Sequence, residues 1–238
     1  ILELDNYELK KIIKQKNKQK KWEAIVVSEN LTWEQFAKVN YFLHDLTGAK
    51  PVMSISRNYP FKDSYTHVLG YVGEASKEDI LGNDTINNRH VPGLKVGKIG
   101  LEKSFENELI GTNSIQRYEV NAYGKRINQV DYQEGLNGKT IRLTIDTEVQ
   151  KLCNELLGDL AGSISVMDIY TGEMIAMHSS PSFDPSLFIF GINQDDWQLI
   201  KNNHLKPLLN KTLSGIYSPG STIKPIVALS ALENNIIS

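Results

Sequence analysis

The strand-like segments of this sequence return on themselves, and that restricts its fold more than any other feature. Ser163 to Ile169 reads as a strand, Tyr170-Thr171-Gly172-Glu173 as a turn, and Met174 to His178 as the strand coming back. Ile115 to Asp131 has the same form around Ala122-Tyr123-Gly124. Strands joined by tight turns pair antiparallel, whereas parallel neighbours need a long crossover. The expected fold class is therefore α+β, not a doubly wound sheet. No internal repeat or low-complexity segment occurs, which removes solenoids and propellers.

At 238 residues the chain has the length of one large domain or two modest ones. Two glycines in the polar stretch Glu134-Gly135-Leu136-Asn137-Gly138 mark the expected boundary, between 1–138 and 139–238. Hydrophobic residues at 40% and charged residues at 23% are those of a folded chain, not a disordered one. The formal net charge of −2 removes a global basic field, so no nucleic-acid partner is expected. The single cysteine, Cys153, excludes an internal disulfide framework and a cysteine zinc cluster. No apolar run approaches the ~20 residues of a membrane span.

Along the chain, Ile1 to Lys21 reads as a charged helix, and its lysines at 10, 11, 14, 16, 18, 20 and 21 as a solvated face. Glu23 to Val27 reads as a strand. Thr32-Trp33-Glu34-Gln35 is a capping box launching a helix through Phe36, Val39 and Leu43. His67 to Gly73 reads as a strand, Ser76 to Asp79 as the cap of a short helix, and Gly82 to Gly97 as a loop. Leu101, Phe105 and Leu109 predict one helix with an apolar face. Ile141, Leu143 and Ile145 alternate as a strand does. Thr147 to Gln150 is a second capping box, and its helix carries Val149, Leu152, Cys153, Leu156, Leu157 and Leu160 on one face. Asp195 to Asn202 predicts a further helix, with Trp197 and Ile200 facing inward.

The five histidines (His44, His67, His90, His178, His204) show no metal-ligand spacing and read as surface or satisfied core residues. No nucleotide-binding glycine motif and no G-x-S-x-G occur. No cofactor and no metal are expected. What remains is Ser221-Thr222-Ile223-Lys224, a match to S-x-x-K. The motif is too short to mean much alone. Here Pro219-Gly220 makes a turn before it, and Pro225 confines the helix start to near Ser221. Ile226, Val227, Leu229 and Leu232 then read as a buried helix. At a spacing of three, Ser221 and Lys224 share one face. A helix N-terminus favours negative charge on the serine oxygen, and burial with that field favours a neutral lysine able to act as base. A solvent-facing serine cap beside an unrelated lysine is the other reading of the same residues.

The run Gly215-Ile216-Tyr217-Ser218-Pro219-Gly220-Ser221-Thr222-Ile223-Lys224-Pro225 closely resembles the Y-P-P-G-S-T-F-K-P signature of class B penicillin-binding proteins. More motifs agree, in the family's order. Arg57-Asn58-Tyr59-Pro60 resembles R-x-Y-P, and His67 to Tyr71 resembles H-x-x-G-Y. Gly100-Leu101-Glu102 with Phe105-Glu106 and Leu109 resembles the G-L-E…Y-E…L helix. Glu119 to Lys125 resembles E-x-N-A-x-G-R, and Leu143 to Asp146 with Gln150 resembles L-T-I-D…L-Q. Asp168, Thr171-Gly172-Glu173 and Ser180 to Pro185 resemble D-x-x-T-G-E and S-P-S-F-D-P. The details are most similar to the family's elongation transpeptidases.

The resemblance implies an elongated N-terminal pedestal, or dimerisation domain, over 1–138, followed by a truncated penicillin-binding transpeptidase domain over 139–238. It implies that Ser221 attacks the carbonyl between the terminal D-alanines of a peptidoglycan stem peptide, with Lys224 as proton acceptor, and that β-lactams stall at the acyl stage. Implied partners are a membrane glycan polymerase and shape-determining scaffold proteins. The implied location is the periplasmic face of the bacterial inner membrane, with an N-terminal anchor preceding Ile1. Ser218 and Ile223 depart from the signature, and Lys211-Thr212 stand where arginine and alanine are frequent. The family's S-x-N and K-T-G motifs belong after Ser221. The S-x-N matches at Ser28-Glu29-Asn30 and Ser56-Arg57-Asn58 lie far upstream, and Lys211-Thr212-Leu213 is no K-T-G. The chain is expected to be an incomplete piece, inactive alone. A non-catalytic pedestal or scaffold module is the rival reading.

Overall fold

The computed structural model describes residues 2, 4, 6–18, 24–53, 55–88, 93–121 and 126–237. Three two-stranded antiparallel sheets alternate with helices, so the fold is α+β. Helix α1 (Asn6–Lys18) is followed by α2 (Trp33–Tyr41). The capping box expected at Thr32 is present, with Gln35 N–H donating to the threonine hydroxyl at 3.2 Å and Thr32 N–H donating to the Gln35 side chain at 2.9 Å. Residues 24–28 form no strand, since no described segment pairs with them. Lys20, Lys21 and Glu23 lie outside the described residues.

The expected strand over His67 to Gly73 begins as helix instead. A 3-10 turn at Lys62–Tyr65 runs into α3 (Thr66–Leu69), and only then does β1 (Val72–Glu74) start. The side chain of Thr66 decides this locally, donating to the carbonyl of Phe183 at 2.5 Å and lying 3.2 Å from that of Lys62. Gly70 ends α3 at φ +79°, and a Cβ there would overlap the Ile99 carbonyl, so only glycine fits. The short helix expected after Ser76 is α4 (Lys77–Gly82), and the stretch expected as loop beyond it contains α5 (Asp84–Asn88) and β2 (Lys95–Gly97). Ser76 and Asp79 cap α4 reciprocally as expected. The missed α5 is capped by Asn83, whose side-chain oxygen accepts from Thr85 and Ile86 N–H. Strands β1 and β2 pair with Val72 opposite Gly97 and Glu74 opposite Lys95.

The helix expected through Leu101, Phe105 and Leu109 is two short ones, α6 (Gly100–Ser104) and α7 (Glu106–Leu109), broken at Phe105. Its buried face is acidic. Phe105 remains 37% exposed, while Glu102 and Glu106 are buried. Glu102 accepts from Arg57 Nε at 3.1–3.2 Å and from the Tyr59 hydroxyl at 3.3 Å. Glu106 accepts the Gly97 N–H at 2.5 Å, and burial still pushes its carboxyl pKa upward. Ion pairing and backbone donors thus replace the apolar contact that the spacing implied.

Strands β3 (Ile115–Val120) and β4 (Arg126–Gln133) form an exposed hairpin whose expected turn lies outside the described residues. The glycine-bearing stretch after it is tied back: Thr112 N–H donates to Leu136 O at 2.8 Å and Lys139 N–H to Glu108 O at 2.8 Å. A Cβ on Gly138 would collide with the Leu109 carbonyl, so this glycine serves close packing.

Residues 141–146 run beside the next hairpin without joining it as a strand. Their ties to it include Asp146 N–H to Ile175 O at 2.8 Å and Thr144 Oγ1 to Met174 O at 2.7 Å. Helix α8 (Thr147–Leu157) is capped by Asp146, whose carboxylate accepts from Glu148 and Val149 N–H, and not by Thr147 as expected. Cys153 is buried as expected, but Leu152, Leu156 and Leu160 are exposed. The side of α8 that meets the sheet carries Cys153 and Gln150, which leaves those leucines facing away. Strands β5 (Gly162–Met167) and β6 (Met174–Ser180) form the expected second hairpin, Gly162 opposite Ser180. A 3-10 turn at Pro185–Phe188 leads to α9 (Gln194–Asn202), capped by Asn193 with Trp197 and Ile200 half-buried. The chain then forms α10 (Lys211–Ser214), a 3-10 turn at Gly220–Ile223, and α11 (Lys224–Glu233).

The two parts of the chain meet around α3. Tyr71 stacks on Phe188 at 4.1 Å between ring centroids, Phe188 meets Phe183 at 5.4 Å, and Tyr59, Val72 and Ile189 form the adjoining apolar core. Gln150, fully buried on α8, donates to Ser64 O at 2.7 Å and Met177 O at 2.9 Å, and accepts the Met177 N–H at 2.8 Å. Removing one partner from buried polar groups costs about 1–3 kcal/mol each. Gln150→Ala should therefore destabilise the chain by about 3 kcal/mol in urea unfolding, and a loss under about 1 kcal/mol would show that water replaces the amide.

Candidate active site

The segment that carries the S-x-x-K motif is anchored at one end and open at the other. Its anchor is Asn210, whose side-chain oxygen accepts from Thr212 and Leu213 N–H and caps α10. The same amide donates to His67 O at 3.1 Å, reaching across to the N-terminal part. Lys211 N–H donates to Ser179 Oγ at 3.0 Å, that hydroxyl lies 3.2 Å from Leu209 O, and Thr212 Oγ1 donates to His178 O at 3.2 Å. Residues 216–230 are exposed.

Ser221 and Lys224 lie in the 3-10 turn and at its junction with α11. Lys224 N–H donates to the Ser221 carbonyl, and Pro225 occupies the first turn of α11, as the sequence predicts. Three residues per turn eclipse positions i and i+3, so the two side chains stand on the same side. Both are exposed, as are Ile226 (67%), Leu229 (65%) and Leu232 (47%). The burial expected around Lys224 and along α11 is therefore not supplied by the described residues. The backbone still offers the serine a first-turn N–H, and the pairing of hydroxyl and amine is one that supports acyl transfer once a carbonyl is brought to it.

The buried bases are elsewhere. His67, His178 and Lys211 are each at most 6% exposed. Burial first, then the nearby Lys211 and His178, push the His67 imidazole down to about 4, against the carbonyls of Pro181 and Pro207. Burial also lowers His178, opposed by the Ser64 carbonyl and Asp63, and burial lowers Lys211. Lys211 Nζ donates to Lys206 O at 3.1 Å, Lys206 itself standing at φ +52°. Neither ring nitrogen of His67, nor His178 Nε2, makes a well-formed hydrogen bond. These histidines are thus neither surface residues nor fully satisfied core residues, as the sequence implied.

The upstream S-x-N matches serve structure: Glu29 pairs with Lys95 at 2.9 Å, and Arg57 with Glu102. A surface hollow of about 710 Å³ lined by Asp195, Leu199, Asn202 and His204 includes no residue of the Ser221 segment. Among the described residues no group of three or more His, Cys, Asp or Glu is placed to hold a metal, and no helix is long and apolar enough to cross a membrane.

The penicillin-binding protein dimerisation domain model matches residues 1–143, and the penicillin-binding protein transpeptidase domain model matches 162–238. This chain belongs to the penicillin-binding protein family. Curated relatives of this penicillin-binding protein include the peptidoglycan D,D-transpeptidases MrdA of Acinetobacter baumannii, 32% identical over 237 residues, and of Escherichia coli K12, 32% identical over 240 residues. Each alignment takes in the whole of this chain but only 35% and 38% of the relative. Among solved structures, PBP2 of Helicobacter pylori in complex with MreC superposes with a TM-score of 0.77 at 28% identity, over 99% of this chain and 47% of that one. Pseudomonas aeruginosa PBP2 in complex with WCK 5153 superposes with a TM-score of 0.65 at 32% identity, over 79% and 38%. The pedestal motifs of this penicillin-binding protein meet in space: Arg57 and Tyr59 of R-x-Y-P close on Glu102 of G-L-E, and the Tyr59 hydroxyl accepts the Val72 N–H at 3.1 Å.

The neutral His67 has a consequence for stability. Its folded value of about 4 lies below the ordinary 6.5, so between those pH values the unfolded chain takes up a proton that the folded chain does not. Stability is present above pH 6.5 and falls toward pH 4, by about 1.4 kcal/mol per unit from this group. His67→Gln should flatten the pH dependence of urea unfolding by about one proton in that window. An unchanged slope would mean that His67 titrates normally.

Proposed function

We propose that this chain is the pedestal (1–138) and the serine-bearing start (139–238) of a peptidoglycan D,D-transpeptidase that cross-links stem peptides during cell elongation. The observation that supports the reading best is the 3-10 turn at Gly220–Ile223 that opens α11 after Pro219, because a three-residue repeat brings positions 221 and 224 to one side. In this reading Lys224 accepts the proton as Ser221 Oγ attacks the carbonyl carbon between two terminal D-alanines. The Ser221 N–H supports the oxyanion, D-alanine leaves with a proton, and the amine of a neighbouring stem peptide resolves the ester into an amide cross-link. β-Lactams take the place of the D-alanyl-D-alanine end. The MrdA relatives and the fit of both domain models support this assignment. We place the full-length protein on the periplasmic face of the inner membrane. A scaffold protein like the MreC bound by the Helicobacter relative, and a membrane glycan polymerase, would dock on the pedestal.

A second reading applies to this stretch taken alone, and the exposure of Ser221, Lys224 and α11 favours it: residues 1–238 act as a binding module without turnover. The residues present provide one oxyanion donor, the Ser221 N–H, and loss of one donor typically costs ~10²–10³-fold in rate. A fluorescent penicillin should label the full-length protein and not its Ser221→Ala variant. Lys224→Ala should keep the fold and slow labelling at least ~10²-fold, as loss of a general base does. Intact mass after excess penicillin should show no stoichiometric adduct on residues 1–238. Label persisting on Ser221→Ala would move the nucleophile elsewhere, and a full adduct on the isolated chain would show that the described residues suffice.

A further inference from the structure

The polar contacts of α10 join the segment that leads to Ser221 to three places: β6, the turn at Lys206, and helix α3 of the pedestal. The first two are ties within the C-terminal part. The third is a tie between residues 143 apart, from the Asn210 side-chain amide to the His67 carbonyl at 3.1 Å. It belongs to a residue that already has another task, because the oxygen of the same amide caps α10 at Thr212 and Leu213. One planar group therefore fixes both the start of α10 and its position against the pedestal. The setting is buried. The His67 ring is buried edge-on to Phe183 at 6.0 Å, the Thr66 hydroxyl holds Phe183 O, and Lys211, next in sequence, is buried with its ammonium on Lys206 O.

Beyond Gly215 no comparable side-chain tie to the rest of the fold is present among the described residues. Residues 216–230 are exposed, and the next ordered contacts are those of the 3-10 turn and α11 with each other. Asn210 to Gly215 is thus the last fixed point before the nucleophile, and one of its ties is to the pedestal. We propose that Asn210 is a positioning residue for Ser221, aligning the serine turn with the pedestal through the carbonyl of His67. The inference rests on the reading of Ser221 as the nucleophile.

Two substitutions separate the tie from the cap. Asn210→Ser keeps an oxygen to cap α10 and lacks the amide donor. Asn210→Asp keeps the shape and the cap, and turns an acceptor toward the His67 carbonyl. Misplacing a reacting group by about 1 Å costs on the order of 10²-fold. Stopped-flow acylation of the full-length protein by a fluorescent penicillin separates the dissociation constant of the first complex from the acylation rate constant. Both variants should lower the rate constant at least ~10-fold, leave the dissociation constant within about twofold, and keep the wild-type melting temperature within a few degrees. Thr212→Val, which loses only the tie to His178 O, should lose less. Wild-type rate constants in the Asn210 variants would overturn the proposal while leaving Ser221 as nucleophile. An equal loss in Thr212→Val would overturn it too, since any loosening of α10 would then do the same. Absence of acylation at Ser221 in the wild-type full-length protein would instead overturn the functional reading on which the proposal rests.

Discussion

The amide of Gln150 is the contact on which the arrangement of this chain depends. It lies fully buried where α8, β6 and the 3-10 turn before α3 converge, and it satisfies backbone groups of Ser64 and Met177 at once. The Ser64 carbonyl bond is buried and the Met177 bonds are partly so, and an unpaired buried peptide group costs more than its bond contributes, so the amide specifies the arrangement as well as stabilising it. Ser182 to Asp63 O and Thr66 to Phe183 O repeat the pattern, and the Tyr65 hydroxyl adds a side-chain bond to Thr147 Oγ1. The pedestal and the start of the transpeptidase part are joined through backbone carbonyls, with a small aromatic core beside them.

That pattern explains which features were legible in the sequence. The hairpins were, because their turns and alternation are local, and so were the capping boxes at Thr32 and Ser76. The strand expected at His67 failed because a backbone carbonyl 117 positions downstream of Thr66 helps decide its conformation: the Thr66 hydroxyl bonds to the Phe183 carbonyl and the segment folds as helix. The face of α8 failed for a related reason. Spacing identifies an apolar stripe but not which side meets the sheet, and here Gln150 and Cys153 do. The acidic face of α6 and α7 carries a periodicity as regular as the apolar one, yet only the positions of Arg57, Tyr59 and Gly97 make it the buried one.

At the candidate site the sequence foretold the local turn and missed the contacts that hold the segment leading to it. Ser221, Lys224 and the proline-bounded helix start follow from local pattern, and the turn forms as that pattern predicts. Asn210, His67 and Lys211 carry no such pattern, because their roles depend on a fold that brings residues 67, 178 and 211 into one buried cluster. Burial first, and Lys211 second, hold the His67 imidazole toward its neutral form, and burial does the same to His178, so the cluster is held by shape and backbone contacts instead of ion pairing.

The central claim is that the pedestal and the serine-bearing part form one cooperative unit around Gln150. Amide hydrogen exchange tests it directly, because two hydrogen-bonded amides report the two sides: Val72, bonded to the Tyr59 hydroxyl, and Met177, bonded to Gln150. If the unit is single, both amides exchange with the same opening free energy and the same denaturant dependence. Two distinct opening free energies, each with its own dependence, would contradict it and show two domains that open independently.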